Sequence, residues 1–198
     1  MDKKLEKRLF GTGFWAKNKW VAPLLIIVMI FIAFYIVTDT SNQLQQNQEQ
    51  SQSLQAALGY FNEASKLATE GDTVYRSALS LSHSKQFSAS IRYCTQARDK
   101  FSDAEQEYRK AKTIFENLDD YGDRKLHENH QNYYQASNAG IEVVSANYET
   151  CEYLENAWAL YSLGEDGGSY IDLANQRIED HDRWVNIYNT YLAKIQTT

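Results

Sequence analysis

Apolar positions along this chain follow two patterns: one unbroken run near the start, and then stripes that recur every three or four residues. The run extends from Trp20 through Thr38, 19 residues without a formal charge, bounded by Lys19 and Asp39. At the rise of an α-helix it reaches roughly 28 Å, the hydrocarbon thickness of a bilayer, which predicts a transmembrane helix over 20–38. Pro23 falls in its first turn, where a missing backbone donor costs little, and Trp20 and Tyr35 sit at depths that suit interfacial aromatic residues. A cleaved signal peptide would have a shorter apolar core and a small-residue cleavage site. The stretch Tyr35-Ile36-Val37-Thr38-Asp39-Thr40-Ser41 has no Ala-x-Ala pattern, so a retained signal anchor is the expected form.

Residues 39–53 are rich in Gln, Asn and Ser, with Leu44 the single large apolar side chain, and read as a polar stalk. From Leu54 the helical stripes begin. Leu54, Leu58, Phe61, Ala64 and Leu67 or Ala68 predict a first outer helix that closes at Gly71-Asp72, with a short segment from Val74 to Leu81 after it. The clearest stripe is Phe87, Ile91, Cys94, Ala97, Phe101, Ala104, Tyr108, Ala111, Phe115 and Leu118, in steps of three and four. Tyr121-Gly122-Asp123 supplies a turn. A third helix carries Tyr134, Ser137, Ile141, Val144, Tyr148, Cys151, Leu154, Trp158 and Tyr161, and glycines 164, 167 and 168 end it. A fourth holds Ile171, Ala174, Ile178, His181, Trp184 or Val185, Tyr188, Tyr191 or Leu192, and Ile195. The expected fold class is all-α: one N-terminal transmembrane helix followed by an extracytoplasmic antiparallel bundle of about four helices over 54–198.

Composition agrees with this and charge orients it. Pro23 is the only proline and there are nine glycines in 198 residues, too little punctuation for a strand-and-turn fold. The flank 1–19 carries six of the 20 basic residues and two of the 26 acidic ones, so it is expected in the cytoplasm, with the C-terminal part on the periplasmic or cell-surface side. That outer part is left with 14 basic against 24 acidic residues, a balance that excludes nucleic acid as its partner.

The two cysteines test the hairpin between the second and third outer helices. The midpoint of positions 94 and 151 falls in the Tyr121–Asp123 turn, so Cys94 and Cys151 are expected at one level on adjacent helices and, in an oxidising compartment, as a disulfide. The same register sets Phe87 level with Trp158 and Phe101 level with Val144.

Candidate chemistry is sparse. His127 and His130 are three apart and could share a helix face as metal ligands, but Glu-x-x-His pairs, further core carboxylates, zinc and haem motifs and phosphate loops are missing from the sequence. His181 lies on the apolar stripe of the last helix, where a hydrogen-bonded histidine is expected. No cofactor is expected. The function expected is that of a non-catalytic accessory or scaffold subunit of a larger membrane complex, with other membrane subunits as partners and the bilayer held through one span. The alternative is an extracytoplasmic sensor or ligand-binding bundle, and a metal-dependent enzyme resting on His127 and His130 comes third.

Overall fold

The computed structural model describes the backbone of residues 21–118 and 124–196 and the side chains of residues 45, 48–118 and 124–195. Among these the chain is helical and has no strand. Helix α1 spans Val21–His83, α2 Phe87–Asn117, α3 Arg124–Ser162 and α4 Gly168–Gln196. The chain forms two compact units, Met1–Glu49 and Gln50–Thr198, and the second holds the buried core. The side chains of the predicted span 20–38, including its markers Trp20, Pro23 and Tyr35, and the flank 1–19 lie outside the described residues. Among the described residues no helix is long and apolar enough to cross a membrane.

In the second unit four helices pack as a helical bundle around one core. Helix α2 buries Cys94, Ala97, Phe101, Ala104, Tyr108, Ala111 and Phe115, the stripe expected from spacing alone. Helix α3 buries Ser137, Ile141, Val144, Cys151, Leu154 and Trp158 on its expected face, and also Ala136, Ala139, Gly140, Ala146 and Ala157, because it packs against both α2 and α4. Ion pairs bridge neighbouring helices, among them Lys100 to Glu70 at 2.7 Å, Arg98 to Glu155 at 2.8 Å and Arg177 to Glu149 at 2.6 Å. Partly exposed pairs of this kind are worth at most about 1 kcal/mol each. They favour one register over its neighbours.

Two expectations are corrected. The first outer helix does not stop at Gly71; α1 continues to His83 and the chain reverses over residues 84–86. There Lys85 takes a left-handed conformation with φ of 58°, while the amides of Gln86 and Lys85 donate to the carbonyls of Leu81 and Ser82. This is a Schellman stop built on a lysine. Gly71 serves packing instead: a Cβ there would lie 2.6 Å from the Phe101 ring. Only the second glycine stop is used as such, with Gly164 at φ of 78° after α3.

The second correction concerns Cys94 and Cys151. Both are fully buried and they are neighbours in the core, as the hairpin register required. They are nevertheless free thiols, and the expected disulfide is not formed. A shared level on two helices brings thiols together, but a disulfide also needs sulfurs about 2.05 Å apart at a defined dihedral. The contact with Cys94, reinforced by burial, raises the Cys151 pKa above the ordinary thiol range, so it packs as a small neutral hydrophobe. Further along the hairpin, the ring of Phe87 lies 5.9 Å from that of Tyr161 between centroids.

Candidate functional site

All four helices send an aromatic side chain to one level of the core. Phe61 of α1 packs edge-on against Tyr108 of α2 and Tyr133 of α3, at 5.6 and 5.5 Å, and stacks with Tyr188 of α4 at 6.1 Å. Tyr133 in turn stacks on Phe115 at 5.0 Å. Tyr108 can lie this deep because α3 offers Gly140 opposite it, where a Cβ would stand 2.7 Å from the ring.

The hydroxyls at this level meet in a triangle. Ser65 Oγ lies 3.1 Å from both Tyr108 Oη and Tyr188 Oη, Tyr108 Oη lies 3.2 Å from Tyr188 Oη, and Ser65 Oγ is 3.0 Å from the Phe61 carbonyl. Four close contacts thus share three protons. One arrangement satisfies all three: Tyr108 donates to Tyr188, Tyr188 to Ser65, and Ser65 to the Phe61 carbonyl. Burial, with the neighbouring Tyr188 second, holds the Tyr108 phenol above its ordinary pKa, so it stays protonated across the physiological range.

Beside the triangle lies a cavity of about 320 Å³, lined by Ser65, Tyr108 and Tyr188, by the aliphatic Ala68, Val143, Val144 and Val185, and by Thr69, Asp72, His181 and Asn189. Its volume is in the range of small-molecule sites, as is an apolar wall with a few convergent polar groups. Asp72 enters from α1 and accepts a hydrogen bond from Asn147 Nδ2 at 3.0 Å. Burial raises its pKa, against the opposing charges of His181 and Arg76. His181, from α4, has Nδ1 3.1 Å from Asp182 Oδ1. Thr69 donates to the Ser65 carbonyl at 2.9 Å. A wider, more polar groove on the α2–α3–α4 surface, lined by Glu105, Glu149 and Glu152, is bridged by the Arg177 to Glu149 ion pair.

The candidates read from sequence do not converge here. His127 is exposed and His130 is 4 % exposed, so the two point into different surroundings at the start of α3. Among the described residues no group of three or more His, Cys, Asp or Glu is assembled to hold a metal ion. His181 has the expected hydrogen bond to a neighbouring residue, but it is half-buried at the cavity. Ser65, Asp72, Tyr108 and Tyr188 were not singled out as a site. Their positions on the helical stripes identify Tyr108 and Tyr188 as core residues, and polar Ser65 and Asp72 beside those stripes were the available signal. Comparison of the chain with protein-family models, with curated proteins and with solved structures finds no match.

Proposed function

We propose that this chain is a single-pass membrane protein whose outer helical bundle binds a small ligand, serving a larger membrane assembly as a non-catalytic accessory subunit. The anchor is the uncharged run 20–38, and the basic flank before it orients the bundle away from the cytoplasm. In this arrangement the four helices run up and down in antiparallel order within the bundle.

The observation that supports ligand binding is the cavity itself. Three helices, α1, α2 and α4, bring Ser65, Asp72, Tyr108, His181 and Tyr188 to it, and a polar group kept beside an apolar core costs stability unless it has a partner or a use. A non-catalytic role is supported by the chemistry of these groups. The Tyr108 phenol is held protonated, the triangle's protons are engaged with one another, and the Cys151 thiol elsewhere in the core is held neutral by Cys94 and burial. The aromatic side chains that could have formed an exposed partner patch are mostly turned inward. Among the described residues the exposed large hydrophobics are Tyr60, Leu163, Leu173 and Ile178.

The test uses the full chain in mild detergent. Thermal unfolding is followed with millimolar small amines, alcohols and carboxylates, beside an Ala68→Leu variant that fills the cavity. At least one class should raise the midpoint of the native chain and leave the variant unmoved. Equal shifts in both proteins, or none in either, would sink the reading. For the anchor, alkaline carbonate should leave the chain in its membrane, while removal of 20–38 should release it.

A further inference from the structure

The cavity is supplied almost entirely with acceptors. Thr69 spends its proton on the Ser65 carbonyl, Ser65 can give its own to the Phe61 carbonyl, and the two tyrosine protons are taken up within the triangle. What these oxygens have left to offer is lone pairs. Asp72 accepts from Asn147 on Oδ1, and among the described residues no side chain donates to Oδ2. His181 stands at the same wall with Nδ1 3.1 Å from Asp182 Oδ1. The Asn189 amide is a lining side chain with N–H groups to spare. A ligand matched to this lining brings N–H donors and positive charge at one end and a short aliphatic body for Ala68, Val143, Val144 and Val185. The acidic balance of the chain after residue 19 favours the same sign of charge.

We propose, resting on the reading of the cavity as a ligand site, that it takes a small primary ammonium compound, with Asp72 as its counter-ion and the Ser65–Tyr108–Tyr188 oxygens as further acceptors. The carboxylate sits in a partly desolvated place where its charge is disfavoured, and an entering ammonium group relieves that by a charge-assisted hydrogen bond.

Four probes of similar size separate the terms: n-butylammonium, n-butanol, butyrate and tetramethylammonium, the last having the charge but no N–H. Each is added at fixed ionic strength to the full chain in detergent, and binding is read from the unfolding midpoint and by calorimetry. Butylammonium should bind, and Asp72→Asn should weaken it at least about tenfold, the loss expected for a hydrogen bond to a charged group. Tyr188→Phe should weaken it less. Binding of butanol or butyrate as tight as butylammonium, or full retention of butylammonium by Asp72→Asn, would overturn the ammonium assignment while leaving a ligand cavity. Equal binding of tetramethylammonium would show charge alone at work and overturn the donor argument. No binding of any probe by the native chain would overturn this inference and the cavity reading together.

Discussion

Helices α2 and α4 are nearly equal in length, 31 and 29 residues, yet they enter the core in different ways. Helix α2 turns Cys94, Ala97, Phe101, Ala104, Tyr108, Ala111 and Phe115 fully inward, alternating small and large residues so that it closes on α3 with little space to spare. In α4 only Ala174 is fully buried among the described residues, and Ile178, expected on its inner stripe, is 37 % exposed. Its other stripe residues are half-buried, and three of them, His181, Val185 and Tyr188, border the cavity. The α2–α3 side is packed for stability, whereas the α4 side gives up apolar contact and leaves room for a guest. A helix with few fully buried contacts is also the one whose position a ligand can change at least cost.

The largest expected effect lies on the packed side. Phe115→Ala removes a ring that is 1 % exposed and stacked on Tyr133, and should cost about 3–5 kcal/mol in denaturant unfolding. Ile178→Ala on α4 should cost less than about 1 kcal/mol, as surface substitutions usually do. Comparable losses from the two would erase the distinction between the sides.

Gly140→Ala tests the seam where they meet. The added methyl would stand 2.7–2.9 Å from three atoms of the Tyr108 ring, so the ring has to move. Overpacking of this kind costs about 1–3 kcal/mol, more than the roughly 1 kcal/mol that alanine returns over glycine in a helix. A net loss of stability is expected, together with weaker ligand binding as Tyr108 shifts. Gly59→Ala is the control: nothing lies within 4 Å of its added methyl, and it should gain up to about 1 kcal/mol. A Gly140→Ala protein that gains as much as Gly59→Ala would show that Tyr108 is not tightly seated.

The packed side is also the side that was legible in the sequence. A stripe in steps of three and four states which face of α2 is buried, and the midpoint of Cys94 and Cys151 places the α2–α3 hairpin, because both follow from helical period and chain reversal alone. The end of α1 was not legible. Gly71 resembles a stop, but its glycine character answers to the Phe101 ring, a neighbour 30 positions along the chain, and the actual stop uses Lys85, a residue with no preference for positive φ. The cavity was illegible for a related reason. Ser65, Asp72, Tyr108 and Tyr188 are unremarkable one at a time, and only the register of α1, α2 and α4 brings their oxygens together. The missing disulfide marks the same limit at shorter range, since register predicts that two residues are neighbours and not that they bond.

Tyr188→Phe separates the hydroxyl triangle from the packing beneath it. The ring and its stacking with Phe61 are kept, while Ser65 and Tyr108 lose a partner, and a loss of about 1 kcal/mol is expected from equilibrium unfolding. A loss as large as that of Phe115→Ala would place the triangle among the main supports of the fold and count against its availability to a ligand.

The smallest effect is the most diagnostic, because it runs against ordinary expectation for a residue that makes a hydrogen bond. Asp72 has a folded-state pKa above its unfolded value, so folding favours its protonated form. Its carboxylate costs stability when ionised, above the folded pKa. That cost fades as the pH falls through the folded pKa and is gone below the unfolded one, where the group is neutral in both states. Asp72→Asn removes the charge and keeps an oxygen for Asn147, so it should raise the unfolding midpoint slightly at neutral pH. The difference from the native chain should shrink toward acid pH. A variant that is more stable and yet binds butylammonium less well is the pattern of a residue kept for function at the expense of the fold. If Asp72→Asn is instead less stable at every pH, the carboxylate is a structural partner of Asn147, and the α4 side is loose for reasons unconnected with a ligand.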